Sequence, residues 1–77
     1  MSGRRDSSSY VVCIRNSEYE ASLVVRRIYE RLPDPEAEQR GLLRVVDESG
    51  EDYLYPKTMF EPIEIPERVA KAFSRAT

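Results

Sequence analysis

The segment Leu42–Pro56 has the sequence LLRVVDESGEDYLYP, and it decides the fold. Two runs rich in aliphatic, β-branched and aromatic residues flank a polar tip of sequence Glu-Ser-Gly-Glu. Such runs favour β-strands, and Gly50 in the tip can adopt the positive φ that tight turns require. We therefore predict a β-hairpin at this segment and a domain that contains a sheet.

Composition limits the kind of protein that this chain can be. Its 77 residues are enough for one domain. It has no histidine and a single cysteine, Cys13, which argues against a disulfide scaffold, a metal centre and the commonest general base. No apolar run approaches the roughly 20 residues that cross a bilayer, and no signal-peptide core is visible. We expect a cytoplasmic protein without a membrane segment, a cofactor or a metal.

Two strands are predicted outside the hairpin. Residues 1–9 are rich in serine and have no apolar periodicity, so we predict a disordered tail there. Residues 10–15 (YVVCIR) are apolar on both faces up to Arg15 and predict a covered strand. Residues 61–65 (EPIEI) alternate in polarity, and Pro62 at their start is typical of an edge strand.

Helical elements are predicted to be short. Asp34 at an N-cap position, Pro35 after it and Gly41 at the end predict a single helical turn over residues 34–41. Residues 56–60 suit a 3₁₀ turn that places Phe60 in the core. Residues 66–73 predict a C-terminal helix, and residues 74–77 are expected to fray.

Local rules conflict over residues 17–32. Apolar residues at helical spacing from Ala21 to Leu32, a possible capping box at Ser17 and Glu20, and Pro33 as a stop all favour a helix. The same stretch is rich in β-branched and aromatic residues, which favour a strand. The alternative fold is therefore α+β, in which a helix over residues 17–32 packs on an antiparallel sheet.

Taken together, residues 10–65 resemble an SH3-like small barrel. The motifs YVVCIRN, RRIYERLPD and DESGEDYLYP are also similar to those of a group of short bacterial proteins without an assigned activity. The resemblance implies a strand over residues 23–32, which would relieve the open sheet edges that a hairpin and two short strands leave. We predict a mainly β, SH3-like small barrel with a short C-terminal helix, and one domain over residues 10–73.

The sequence lacks several residues with which peptide-binding SH3 domains hold their ligands. Those domains carry an Ala-Leu-Tyr-Asp-Tyr-type motif after the first strand, whereas this chain has NSEYE at residues 16–20, with Tyr19 as the one counterpart. The chain has no tryptophan, and the aromatic after Pro56 comes one residue late, at Phe60. Recognition of proline-rich ligands is therefore not implied, and fold similarity alone does not give function.

Tyrosines and arginines supply the candidate binding residues. Tyr19, Tyr53 and Tyr55 either complete the core or line a shallow surface for another protein or peptide. The nucleic-acid alternative needs an arginine patch made of Arg15, Arg26, Arg27 and Arg44. A formal net charge of −2 and the acidic hairpin tip argue against that alternative.

Catalytic chemistry is not predicted. Four acidic residues surround the hairpin tip, but their spacing does not match a calcium loop, so we interpret them as a solvated turn. Cys13 lies in the middle of a strand and is interpreted as a buried small hydrophobe. The function that the sequence favours is therefore a small non-catalytic interaction module whose partner is unidentified.

Overall fold

The computed structural model describes residues 9–74, and these form one antiparallel sheet with short helices. The predicted disordered tail, apart from Ser9, and residues 75–77 of the predicted frayed terminus lie outside the described residues. The strands are β1 (Tyr10–Cys13), β2 (Ile28–Leu32), β3 (Leu42–Val46), β4 (Asp52–Pro56) and β5 (Phe60–Ile63). The helices are α1 (Pro35–Gln39), a 3₁₀ turn (Lys57–Met59) and α2 (Glu67–Ser74).

The mainly β fold is confirmed, but the sheet does not close into a barrel. Its strand order is β4-β3-β2-β1-β5, so β4 and β5 are edges. Strand β2 pairs with β1 through residues 28–30 and with β3 through residues 31–32. A strand shared in this way lets the sheet bend over a core. The 3₁₀ turn between β4 and β5 sends these two strands to opposite ends of the sheet, where they do not pair with each other.

The predicted hairpin and the helical turn before it are confirmed. Strands β3 and β4 pair in register from Leu42 opposite Pro56 to Val46 opposite Asp52, and Gly50 in the connecting turn has a φ of 87°. The Asp34 carboxylate accepts a 3.2 Å hydrogen bond from the Ala37 N–H, which caps α1. Gly41 after α1 has a φ of 79°, a conformation that side chains rarely tolerate.

The helix that the α+β alternative places over residues 17–32 is wrong, because the structure has no helix there. Residues 28–32 are β2, and the rest of the stretch belongs to an irregular loop, which we call the 14–27 loop. Glu18 and Arg26 have φ values of 73° and 76°, which an α-helix cannot contain. The strand predicted from residue 23 is also too long by five residues. The Arg26 N–H donates to the Cys13 carbonyl at 2.7 Å, which turns the chain before β2 begins.

The core lies on one face of the bent sheet. Alternation along the strands places Val11, Tyr29, Val45 and Phe60 on this face, and the 14–27 loop adds Leu23 from outside the sheet. The opposite face of β1 carries Tyr10, against which the Phe73 ring of α2 packs at a centroid distance of 5.4 Å. The remaining buried members of the core are Cys13, Leu43, Tyr55 and Met59.

Candidate functional site

The structure does not bring Tyr19, Tyr53 and Tyr55 onto one open surface. Tyr55 is 3% exposed and belongs to the core, whereas Tyr53 on the same strand is 51% exposed. Tyr19 is half-buried and its ring meets the Tyr55 ring edge-on, with 5.1 Å between the centroids. Two of the three tyrosines therefore serve packing between the 14–27 loop and β4, and Tyr53 is the one that offers substantial surface.

The hydroxyl of Tyr55 is hydrogen-bonded to a buried carboxylate. It donates a 2.5 Å hydrogen bond to Asp47 Oδ2, and the other oxygen of Asp47 accepts from the Ser49 hydroxyl at 2.6 Å and the Ser49 N–H at 2.8 Å. Burial by itself raises the pKa of Asp47, but these hydrogen bonds together outweigh it, so the pKa lies below its ordinary value. Burial, and then the Asp47 partner, raise the pKa of Tyr55 to about 12.

A second tyrosine–carboxylate pair joins β2 and the 14–27 loop to the hairpin. Tyr29 donates a 2.5 Å hydrogen bond to Glu48 Oε2, and its oxygen accepts the Val24 N–H at 2.8 Å. Glu48 also lies 3.0 Å from Arg27 Nη1, and its N–H donates to the Ser22 carbonyl. Burial, and then the Glu48 hydrogen bond, raise the pKa of Tyr29 to about 12. Both buried hydroxyls are therefore protonated donors at neutral pH, a structural role.

The four arginines predicted as a patch are not equivalent. Arg27 is paired with Glu48, and Arg44 lies 2.8 Å from Asp34 and 3.0 Å from Asp52. Arg15 and Arg26 are exposed on the 14–27 loop, and within residues 9–74 neither forms an ion pair. Half of the predicted patch is thus neutralised by carboxylates of the hairpin and of the α1 cap.

Cys13 and the hairpin acids also have structural partners. Cys13 is fully buried, its thiol donates to the Arg15 carbonyl at 3.3 Å, and burial raises the pKa of that thiol. Glu51 accepts from the Tyr53 hydroxyl at 3.1 Å. Among residues 9–74, no group of three or more metal-binding side chains is placed to hold an ion.

A groove with an apolar floor lies on the described part of the chain. Its volume is about 660 Å³, and it opens where β1 and β5 face α1 and the start of β3. The floor is formed by the edges of the core residues Val11, Leu43 and Phe60, each at most 6% exposed, and exposed Pro62 lies at one side. The polar lining residues are Arg31, Glu38, Lys57, Thr58 and Glu61. A volume of this order can hold a few side chains of a ligand.

An ion pair forms one wall of the groove. Glu38 Oε2 of α1 lies 2.8 Å from Arg31 Nη2, and the Arg31 side chain is only 14% exposed. The Arg31 hydrogen bond, with a smaller contribution from Lys57, holds the pKa of Glu38 below its ordinary value. Arg31, Glu38 and Lys57 therefore form a charged row beside the apolar floor, which gives the groove a polar and an apolar side.

This groove is not predicted by any pattern in the sequence, although one signal for part of it is present. Tyr29 is a core residue of β2, and side chains two apart on a strand share a face. Arg31 must therefore lie on the core face, where an arginine requires a carboxylate partner or water. That partner is Glu38, which lies seven residues later in a helix. No spacing in the sequence predicts that these two side chains meet.

Comparison of the chain with family models, with curated proteins and with solved structures found no match. The resemblance to SH3-like barrels and to short bacterial proteins therefore stays a prediction. Among residues 9–74, no helix has the length and apolar character needed to span a bilayer.

Proposed function

We propose that this protein is a small, non-catalytic interaction module of the cytoplasm, built on an SH3-like scaffold, and that its groove binds an extended segment of another protein. The observation that carries the proposal is the groove with its floor of Val11, Leu43 and Phe60 beside the Arg31–Glu38 ion pair. Binding sites for ligands combine such an apolar surface with a few placed polar groups.

The order of elements supports an SH3-like scaffold. A first strand is followed by a long irregular loop, a second strand, a hairpin, a 3₁₀ turn and a last strand that pairs back with the first. The resemblance predicts this order. The proposed ligand groove does not use Tyr19, the one counterpart of the tyrosines of peptide-binding SH3 domains, because Tyr19 does not line it.

A non-catalytic role is supported by the way reactive groups are occupied. The Cys13 thiol is buried, and the Tyr29 and Tyr55 hydroxyls have pKa values of about 12. Asp47 is held by several hydrogen bonds to its own turn. None of these groups faces the groove, so the proposed ligand meets packing and charge rather than a nucleophile or a base.

The chemistry of the groove describes the ligand. An apolar side chain would rest against exposed Pro62 and the edge of Phe60, and exposed Lys57 and Glu61 on the rim would favour charged residues on both sides of it. We expect the ligand segment to bind with an extended backbone. We expect micromolar affinity, because the apolar floor is small.

Peptides selected from a displayed random library test the proposal. In NMR titrations they should shift the amides of Thr58 and Glu61, and Thr58→Arg, which fills the groove from an exposed position, should abolish binding. Ser17→Arg is the matched control, because it places the same side chain on the exposed 14–27 loop. Selected peptides that bind Thr58→Arg normally, or that map around Tyr53, would refute the groove.

A further inference from the structure

We propose that two copies of this chain associate by pairing their β4 edge strands antiparallel, with Leu54 at the two-fold axis. Strand β4 is an end of the sheet, and no strand among residues 9–74 covers its outer edge. Leu54 in the middle of that edge is 41% exposed, although it is a large apolar residue. An uncovered edge of this kind is a template for another strand.

The hydrogen-bond ladder shows which backbone groups the edge offers. The Asp47 N–H donates to the Glu51 carbonyl at 3.0 Å, so Asp47 and Glu51 form a hydrogen-bonded pair of the β3–β4 ladder. Bonded and non-bonded pairs alternate along an antiparallel ladder. Asp52 opposite Val46 and Leu54 opposite Arg44 therefore occupy non-bonded positions, and their N–H and C=O groups point away from β3.

Pro56 fits the same ladder. It lies opposite Leu42 at another non-bonded position, where its missing N–H removes no bond to β3. Two β4 strands centred on Leu54 would exchange both Leu54 bonds, and each Asp52 N–H would donate to the Pro56 carbonyl of the other copy. The edge thus offers four backbone bonds to a second copy, without any change in the fold of either one.

Charge complementarity identifies a second copy as the occupant. In the pairing centred on Leu54, Glu51 of one copy lies opposite Lys57 of the other, and the two-fold axis repeats this contact. Both residues are exposed, and neither forms an ion pair within residues 9–74. Leu54 would meet Leu54 of the other copy, and Tyr53 would lie opposite the backbone of Tyr55, whose side chain is buried.

The other sheet edge does not suit this role. Strand β5 contains Pro62, which cannot donate, and exposed Glu61 and Glu64 lie on either side of that region. Proline and charge are the usual devices that keep an edge from pairing. Strand β4 also contains a proline, but Pro56 is its last residue, so the N–H and C=O groups of Leu54 in the middle of the edge stay available.

Sedimentation velocity of the whole chain over a range of concentrations tests the proposal. We expect a monomer–dimer equilibrium that Leu54→Asp abolishes, because two carboxylates would meet at the axis. Val24→Asp is the matched control, since Val24 is also 41% exposed but lies on the 14–27 loop. A chain that stays monomeric at high micromolar concentration, or a dimer that Leu54→Asp leaves intact, would overturn the proposal.

Charge reversal provides a test that does not depend on Leu54. Glu51→Lys and Lys57→Glu should each weaken dimerisation by roughly tenfold, because two attractive surface contacts become repulsive. An equimolar mixture of the two variants should dimerise as well as the original chain, since every contact is attractive in the heterodimer. The double variant Glu51→Lys/Lys57→Glu should also dimerise as well as the original chain. Failure of both the mixture and the double variant to recover would refute this register.

Discussion

The Tyr55 hydroxyl donates a 2.5 Å hydrogen bond to the Asp47 carboxylate, and this contact connects β4 to the end of β3 inside the core. Asp47 is the one buried charged residue among residues 9–74, at 6% exposure. A buried carboxylate is tolerated where donors surround it, and here Ser49 and Tyr55 supply them. The acidic tip that looks solvated in the sequence thus contains a structural carboxylate that fixes the hairpin turn.

Tyr55→Phe should reduce the free energy of unfolding by about 2 kcal/mol, because it removes a hydrogen bond to a buried charged acceptor. Urea denaturation followed by circular dichroism measures the change. Tyr53→Phe is the matched control on the same strand. Its hydroxyl contacts Glu51 at 3.1 Å on the surface, so its loss should cost less than about 0.5 kcal/mol. Equal effects of the two substitutions would contradict the role given to Asp47.

Acid should destabilise the fold through Asp47. Its pKa is lower in the folded state than in the unfolded chain, so the stabilisation is complete above the ordinary aspartate value of about 3.9. It is lost as the pH falls through the lowered folded value. Hydrogen bonds from the Ala37 N–H and from Arg31 lower the pKa values of Asp34 and Glu38, which act in the same direction.

Asp47→Asn separates the contribution of this carboxyl from the others. The variant should be less stable than the original chain at neutral pH, and its stability should fall less on acidification. Denaturation series at several pH values measure both quantities, and repeating them at high salt screens the exposed charges. An unchanged dependence on pH in the variant would show that Asp47 is not among the groups that drive acid unfolding.

Generic DNA and RNA should not bind at physiological salt. Arg27 and Arg44 are held by carboxylates, and the net charge of the chain is −2. Real phosphate contacts would give a salt slope near −0.9 for each one on duplex DNA, so any affinity would fade steeply as salt rises. Fluorescence anisotropy at low and physiological salt makes the measurement. A micromolar, salt-sensitive affinity that Arg26→Glu/Arg27→Glu abolishes would favour the arginine patch instead.

Local chemistry explains which elements the sequence predicts well. The β3–β4 hairpin follows from Gly50 between two strand-forming runs, and α1 follows from Asp34, Pro35 and Gly41, all within a few residues of one another. The groove is different, because its wall and floor come from five separate elements. The inward direction of Arg31 could be inferred from Tyr29, but the position of Glu38 beside it depends on how α1 packs.

The 14–27 loop explains why the apolar pattern of residues 17–32 wrongly favours a helix. The apolar spacing of Val24, Val25 and Ile28 suits a helix. Tertiary hydrogen bonds hold the chain before β2 in an irregular loop instead. The Asn16 side chain donates to the Leu23 carbonyl at 2.9 Å, and the Arg26 N–H bonds to Cys13 of β1. Glu18 and Arg26 have positive φ in this conformation, a cost that packing of the loop onto the core offsets.

Leu23 and Val24 give the sharpest test of this loop. Leu23 is fully buried in the core, whereas its neighbour Val24 is exposed, and the helical stripe in the sequence includes Val24 but not Leu23. Leu23→Ala should therefore cost about 2–5 kcal/mol, the range for a leucine truncated in a packed core. Val24→Ala should change the free energy of unfolding by less than about 0.5 kcal/mol, as is usual for exposed sites.

Chemical denaturation of both variants under one set of conditions makes the comparison, and NMR secondary shifts over residues 17–27 accompany it. In the loop conformation, only Leu23→Ala shifts the midpoint strongly, and the secondary shifts show no continuous helix. In the rejected helical fold the order would reverse, because Val24 would face the sheet and Leu23 would face solvent. A larger loss from Val24→Ala than from Leu23→Ala would therefore contradict both the loop and the core assembled around it.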